Sequence, residues 1–362
     1  MKGFLIWVLA PHIITEDETL AYYYDFDQSI EEYRKVFNRL NLPWKWQPVT
    51  SANYQNIISQ IPTQSGYQTP MVLNLCDGDG TNDVPGVEVI QLLEELNLCY
   101  TGADEYFYNI TTSKITMKEC FDAQQVSTSP WKIINDADPD IFTSLTPPVI
   151  IKPAVSAGSL GLGVSSVVRN KHSLAAQVEL LEKGYRGWQV TQGGIFAEQF
   201  ISGPEFTSLI VGDSADPGNC YIYPPVERVF HKDLPDYEKF LSFDRLWEIY
   251  EIEPSISTGE DFYTYHSPEQ SLLEAIDELS LKAYKSVKGV SYGRIDLRMD
   301  QVTKKLYVLE VNAQCGLSDD ENYTSIGAIL RLSNQTFSSL IGRILNDAAR
   351  RKYLPDVDSE FI

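Results

Sequence analysis

Cysteine and histidine are scarce, with five cysteines and four histidines in 362 residues. The cysteines (Cys76, Cys99, Cys120, Cys220 and Cys315) are odd in number, scattered and free of any C-x-x-C pair, which excludes a disulfide framework and a zinc motif as organising features. That usage fits a reducing, cytoplasmic setting. Positive charge is also short, since 29 Lys and Arg face 50 Asp and Glu, for a net charge of −21. A nucleic-acid or anionic-membrane surface needs a basic footprint, so neither partner is expected. No apolar run approaches the roughly 18 residues of a membrane span. The apolar start "FLIWVLAP" lacks a small-residue cleavage site and runs into acids, so it reads as a strand and not as a signal peptide. Internal repeats and low-complexity tracts are absent.

What is present suffices for two or three domains. In the first hundred residues, apolar strands at 4–11 and 70–80 alternate with amphipathic stretches at 27–43 and 83–97. Uniformly apolar strands separated by helices predict a parallel sheet covered on both faces, an α/β arrangement, with Asp83 as a helix N-cap. A second unit, 113–212, holds "PPVIIKPAVSAGSLGLGVSSV" (147–167) and "IFAEQFISGPEFTSLIVG" (195–212), both strand-rich. Residues 213–266 are irregular, polar and rich in aromatics and prolines, in the manner of a lid or substrate loop. At 267–289 the signals predict a helix with Ser267 as N-cap, Pro268 first, Gln270 closing a capping box and Gly289 as the stop. The stretch 325–345 predicts a helix pair or one long packing helix.

The chemistry concentrates in "YGRIDLRMDQVTKKLYVLEVN" (292–312), two alternating strands around a polar turn. Pleat parity places Arg294, Asp296, Arg298 and Asp300 on one face of the first strand and Glu310 with Asn312 on one face of the second. A turn near Thr303 sets Asp296 opposite Glu310 and Arg294 opposite Asn312, with Cβ atoms roughly 5 Å apart. Ile295, Leu297, Met299, Tyr307, Leu309 and Val311 form the apolar face, while Leu306 and Val308 share the polar one. Two carboxylates so close repel unless positive charge lies between them. Either the face is solvated, or it is half enclosed and its all-oxygen donors suit Mg²⁺ held together with substrate phosphates. The second case calls for a phosphate cradle. "IKPAVSAGSLGLGV" (151–164) supplies a lysine, Lys152, at a strand end and a small-residue loop with Gly158, Ser159, Gly161 and Gly163. It is neither a Walker A motif nor a dinucleotide fingerprint, and alone it reads equally as a flexible turn. Glu198 and Glu205 in "AEQFISGPEF" read by themselves as solvated acids on an edge strand.

The order Lys114, Lys152 with its glycine loop, "EQFISGPE" and "RID…LEVN" resembles the ATP-grasp superfamily, and most closely the D-alanine–D-alanine ligase group, over residues 70–330. The resemblance implies a three-domain ATP-grasp architecture: an N-terminal Rossmann-like parallel-sheet domain (1–112), then α+β central (113–212) and C-terminal (213–362) subdomains. It implies ATP and Mg²⁺, with Mn²⁺ able to substitute. Lys114 and Lys152 would contact phosphates under the loop of Gly158, Ser159 and Gly161. Glu198, Gln199, Phe200 and Ile201 would hold adenine, and Glu205 the ribose hydroxyls. Asp296, Glu310 and Asn312 match the metal ligands, and Arg294 an arginine that stabilises the reacting phosphorylated carboxyl. A backbone N–H near Gly316 would serve as oxyanion donor and Lys239 as the lid lysine. The histidines and cysteines receive no catalytic role.

The implied activity is amide-bond formation from small-molecule carboxylate and amine substrates through an acyl phosphate, in a homodimer joined through the N-terminal domain. The amino-acid-binding loops depart from the family pattern. "APHIITEDETLAYYYD" offers only Glu16 or Glu18 in place of a glycine-rich loop, "LCDGDGTNDVPG" (75–86) lacks the usual histidine, and "QCGLSDDENY" (314–323) adds acids. The expectation is therefore an acid or amine other than D-alanine. The alternatives are a D-alanine–D-alanine ligase with divergent loops and a nucleotide-binding regulatory protein without turnover.

Overall fold

The computed structural model describes residues 3–16, 25–78, 84–135, 141–247, 253–254, 256, 261–320 and 324–353. Asp83 and Glu18 lie outside them.

Strands β1 (Phe4–Pro11), β2 (Trp44–Val49), β3 (Thr69–Asn74) and β4 (Cys99–Tyr100) form a parallel sheet in the order β2-β1-β3-β4, as the apolar runs predict. β1 is apolar throughout because both its faces are covered. Ile6 and Val8 pack with Tyr33 and Phe37 of helix Asp27–Leu40 and with Leu340, Ile341 and Ile344 of helix Phe337–Tyr353. Leu5, Trp7 and Leu9 pack instead on Ile58 and Ile61 of helix Tyr54–Gln64 and Val89 and Leu93 of helix Val87–Glu95. The predicted C-terminal stretch is thus a helix pair, Ser325–Leu332 and Phe337–Tyr353, whose second member closes the N-terminal sheet.

The second sheet is antiparallel, with β5 (Trp131–Ile134), β6 (Val149–Pro153), β7 (Val167–Val168) and β8 (Ile195–Gln199) in the order β5-β8-β6-β7. The third sheet, also antiparallel, joins β9 (Glu205–Val211), β10 (Tyr221–Phe230), β11 (Tyr263–His266), β12 (Tyr292–Met299) and β13 (Leu306–Asn312) in the order β11-β10-β9-β12-β13. Helices Lys114–Ala123 and Leu273–Ser286 cover one of its faces, through Met117, Phe121, Ile276 and Ala283, and Ser325–Leu332 the other.

Three expectations are corrected. β9 lies before residue 212 yet pairs with β10 and β12, so the sheets divide at the Gly203–Pro204 turn and not at 212. At that turn Gly203 has φ +138°, and a Cβ there would stand 2.2 Å from the Met299 carbonyl oxygen; only glycine lets the turn press against β12. The 213–266 stretch is not wholly irregular, because it carries β10 and β11; the prolines that disguise β10 in the sequence coincide with a register shift between Tyr223 and Val226. Residues Gln270–Leu272 form a 3-10 turn and the regular helix begins at Leu273 without a side-chain cap, while Gly289 does end it, donating its N–H to the Tyr284 carbonyl at 2.9 Å.

Among the described residues no helix is long and apolar enough to cross a membrane.

Candidate active site

The hairpin has the predicted register, with Asp296 opposite Glu310 and Arg294 opposite Asn312. Leu297 then pairs with Val308, so Leu309 is the extra residue of a β-bulge, which reverses the parity of everything before it on β13. Val308 consequently turns into the core with Ile295 and Leu297, and Leu309 turns to the cleft, the reverse of their predicted faces.

The cleft occupies about 540 Å³ and is lined from both antiparallel sheets and the loops of the N-terminal domain. At its centre the carboxylates are compensated. Asp296 accepts from Arg294 Nε at 3.1 Å and Nη2 at 2.9 Å, from Thr207 Oγ1 at 2.9 Å and from Asn312 Nδ2 at 3.0 Å. Lys114 Nζ stands 3.4 Å from Glu310 and donates to the Ser156 carbonyl at 2.7 Å, bringing the glycine loop to the hairpin. Burial raises the Asp296 pKa, Arg294 opposes it and Glu310 adds to it. On Glu310 burial acts the same way but is outweighed by Lys114 and Arg294, which leave its pKa lowered. The two carboxylates are therefore held by two cations, and the cluster of four is close to neutral as a whole. Among the described residues no three His, Cys, Asp or Glu side chains form a metal cage. Two facing carboxylates and an amide fit a Mg²⁺ site completed by phosphate oxygens. The amide nitrogen of Asn312 now faces both carboxylates, and a half-turn of the amide exchanges it for the oxygen.

On the side of the glycine loop, Lys152 near the end of β6 pairs with Glu198 of β8. Ser156, Ala157, Gly158, Ser159 and Leu162 line the cleft, whereas Gly161 is buried with φ +80° against the Pro153 ring. The loop is gripped from outside: Ser159 Oγ donates to the Leu241 carbonyl at 2.8 Å and Trp247 Nε1 to the Gly158 carbonyl at 3.2 Å. Gln199, Phe200 and Ile201 reach the cleft, and Phe200 with Ile150 and Phe240 makes an apolar slot over which Arg298 stacks at 5.0 Å. Glu205 is flanked in register by Arg228 and Arg298 and pairs with both. Lys239 is not among the lining residues. Its ammonium pairs with Asp236 at 2.8 Å and Arg298 holds its carbonyl.

Beyond Arg294 the cleft is bounded by Phe26, Ser29, Tyr33, Leu75, Asp77 and Leu317. The departing loops are tied together here. Glu32 accepts from Ser318 Oγ at 3.0 Å and from the Asp319 N–H at 3.1 Å. Gln314, at φ +51°, accepts from the Ala103 N–H at 2.9 Å and donates to the Asn74 carbonyl at 3.0 Å. Among the described residues the fully buried Tyr33 hydroxyl has no hydrogen-bond partner. Gly316 is exposed at the cleft, and helix Ser325–Leu332 begins beside it with Ser325 and Ile326 in the lining. Glu16 is exposed outside the lining. Burial pushes the Cys315 thiol up to about 11, so it stays protonated and is no nucleophile.

The sequence singled out neither Arg228, Phe240 and Gln314, which line the cleft, nor Lys118 and Glu32, which hold lining residues from outside it. Lys118 alone carried a signal, standing four residues after Lys114 on one helix face.

Facing carboxylates with an arginine, two lysines under a glycine loop and an apolar slot, on this pair of antiparallel sheets, define an ATP-grasp ligase, a class that forms C–N bonds at the expense of ATP. Residues 121–346 match the family described as D-ala D-ala ligase C-terminus, and the chain belongs to that family. It is 25% identical over 271 residues to a D-alanine–D-alanine ligase of Nitrosococcus oceani, covering 74% of this chain and 75% of that one. To the enzyme of the same description from a Synechococcus species it is 27% identical over 278 residues, 75% of each chain. In fold it is similar to the crystal structure of D-alanine–D-alanine ligase from Bacillus anthracis complexed with ATP, with TM-score 0.67 and 17% identity over 97% of this chain and 99% of that one.

Proposed function

We propose that this ligase phosphorylates a small carboxylic acid with ATP and couples the acyl phosphate to an amine. The observation that carries the reading is the Asp296–Glu310 pair, two enclosed carboxylates set across one strand pair with Arg294 bonded to one of them. When bound, ATP supplies the phosphoryl group that converts a carboxylate into a good electrophile, and Mg²⁺ neutralises charge on the phosphate oxygens. Asp296, Glu310 and Asn312 would hold the metal. Lys114 and Lys152 would bind phosphate oxygens from two sides, exchanging their present partners, Glu310 and Glu198, for the anion. Arg294, kept charged by Asp296 and Glu310 although burial opposes it, would stabilise the oxyanion of the tetrahedral intermediate together with the Gly316 N–H. The apolar slot at Phe200 would take adenine and Glu205 the ribose. No protein nucleophile takes part.

The names of the relatives support D-alanine as both acid and amine. Ser325 and Ile326, at the start of a helix, line the cleft with Gly316, and the unpaired first-turn N–H groups of a helix suit an amino-acid carboxylate. A second reading, a different acid or amine, is favoured by Asp77, the Tyr33 hydroxyl, which is unpaired among the described residues, and the Glu32-bound loop at that same end. ADP release with Mg²⁺-ATP, measured against D-alanine and a panel of amino acids and small carboxylic acids with mass detection of products, tests both. A D-alanine dipeptide establishes the first reading, another amide the second, and no ADP release with any pair refutes the ligase reading.

A further inference from the structure

Glu198 is enclosed by two lysines of which only one reaches the cleft. Its Oε2 pairs with Lys118 Nζ at 2.6 Å and accepts from Ser129 Oγ at 2.6 Å, while Oε1 pairs with Lys152. The side chains of Lys118 and Glu198 are 1% and 2% exposed, and Lys152 is 13% exposed. Lys152 and Glu198 line the cleft, whereas Lys118 is not among the lining residues. Lys118 Nζ also donates to Thr128 Oγ1 at 2.8 Å, and Thr128 Oγ1 donates in turn to the Val308 carbonyl at 2.9 Å. The Val308 N–H returns a bond to the Ser127 carbonyl at 2.7 Å. Lys118 is thereby clipped to β13 two residues before Glu310.

One carboxylate between two ammonium groups leaves one positive charge in excess, and the cleft-facing, more exposed member of the pair is Lys152. A buried carboxylate left without a counter-ion is strongly destabilising. If Lys152 were the only partner of Glu198, a phosphate could recruit Lys152 only by stranding Glu198. With Lys118 present, Glu198 stays paired whichever way Lys152 turns.

We propose that Lys118 is a positioning residue for nucleotide binding: it pins Glu198 from behind and so frees Lys152 to bind phosphate. The inference rests on the reading that this cleft binds ATP. In Lys118→Met, Glu198 competes with phosphate for Lys152, and removing the competitor relieves the defect. A residue that merely stabilised the fold would show no such relief.

Calorimetric titration of the folded full-length protein with Mg²⁺-ATP tests this, with the melting temperature of each variant recorded alongside. Lys118→Met is expected to bind about tenfold more weakly or worse, a change of at least ~1.4 kcal/mol. Lys118→Arg is expected to stay near wild type, and the double variant Lys118→Met/Glu198→Gln to bind more tightly than Lys118→Met alone. Wild-type affinity in Lys118→Met, or a double variant no better than the single one, overturns the positioning role. Should Lys118→Met not fold, the electrically balanced double variant is compared with Lys118→Arg, and a defect of about tenfold or more in it overturns the proposal. Absence of ATP binding in the wild type overturns the nucleotide reading itself, which separates the two failures.

Discussion

Replacing Arg294 by methionine removes the cation bonded to Asp296 while keeping an unbranched apolar stem in its place. Asp296 and Glu310 sit opposite each other on paired strands. At about 5 Å and an effective dielectric constant near 20, two unit charges repel by roughly 3 kcal/mol. The side chains of Arg294, Asp296 and Glu310 are 27%, 14% and 25% exposed, so solvent screens part of this and about 2 kcal/mol is the expected loss of stability. Lys114, 3.4 Å from Glu310, keeps the loss from being larger. Urea unfolding near neutral pH with a chelator present should show the midpoint lowered. Excess Mg²⁺ should restore a large part of the difference, because an ion that binds only the folded pair stabilises it by mass action. The wild type should respond less, its carboxylates being already compensated. An Arg294→Met protein as stable as wild type in chelator, or one indifferent to Mg²⁺, would show that the facing carboxylates neither repel nor hold a metal.

Three further outcomes are expected. Gln314→Leu leaves the Ala103 N–H without its buried acceptor, costing about 1–3 kcal/mol and lowering the melting temperature by several degrees; an unchanged melt contradicts the bond's role. Glu32→Ala removes the carboxylate that holds Ser318 and Asp319, so hydrogen exchange at the Asp319 amide should accelerate while that of the glycine loop stays unchanged. For Glu198, burial raises the pKa but Lys118 and Lys152 outweigh it and hold the carboxyl far below the usual carboxylate range. A depressed carboxylate stabilises above its unfolded pKa and loses that contribution as pH falls through the folded value. Acid unfolding below about pH 4 should therefore be shallower in Lys118→Met/Glu198→Gln, and identical acid limbs would contradict the pairing.

The hairpin was legible because strand parity is strict: once the turn near Thr303 is placed, Asp296 must face Glu310. The same rule misplaced Val308 and Leu309, since a single-residue bulge inverts parity and leaves no mark in composition. The parallel sheet was legible from β1, whose two buried faces demand apolar residues at every position. The affiliation of β9 was hidden, because the partner of a strand lies elsewhere in the chain and only a turn such as Gly203–Pro204 hints at the change of sheet. Lys152 and Lys114 are legible through their loop and order, whereas Lys118 carries no signal beyond its helical spacing from Lys114. Only the fold shows that it is buried with Glu198. Lys239, expected as the lid lysine, pairs locally with Asp236, a partner three residues away that sequence alone does not reveal.

In the proposed reaction the carboxyl oxygen of the acid substrate is phosphorylated before the amine attacks. This order is tested most directly by giving the enzyme Mg²⁺-ATP, the amine and an acid labelled with ¹⁸O in its carboxyl group, D-alanine first, and weighing the phosphate released. Attack of the carboxylate on the γ-phosphorus and later expulsion of phosphate from the acyl carbon carry a single ¹⁸O into each phosphate formed. That label, in step with amide product, is the expected result. Unlabelled phosphate accompanying ADP release would mean that water attacks the nucleotide, and would contradict the account.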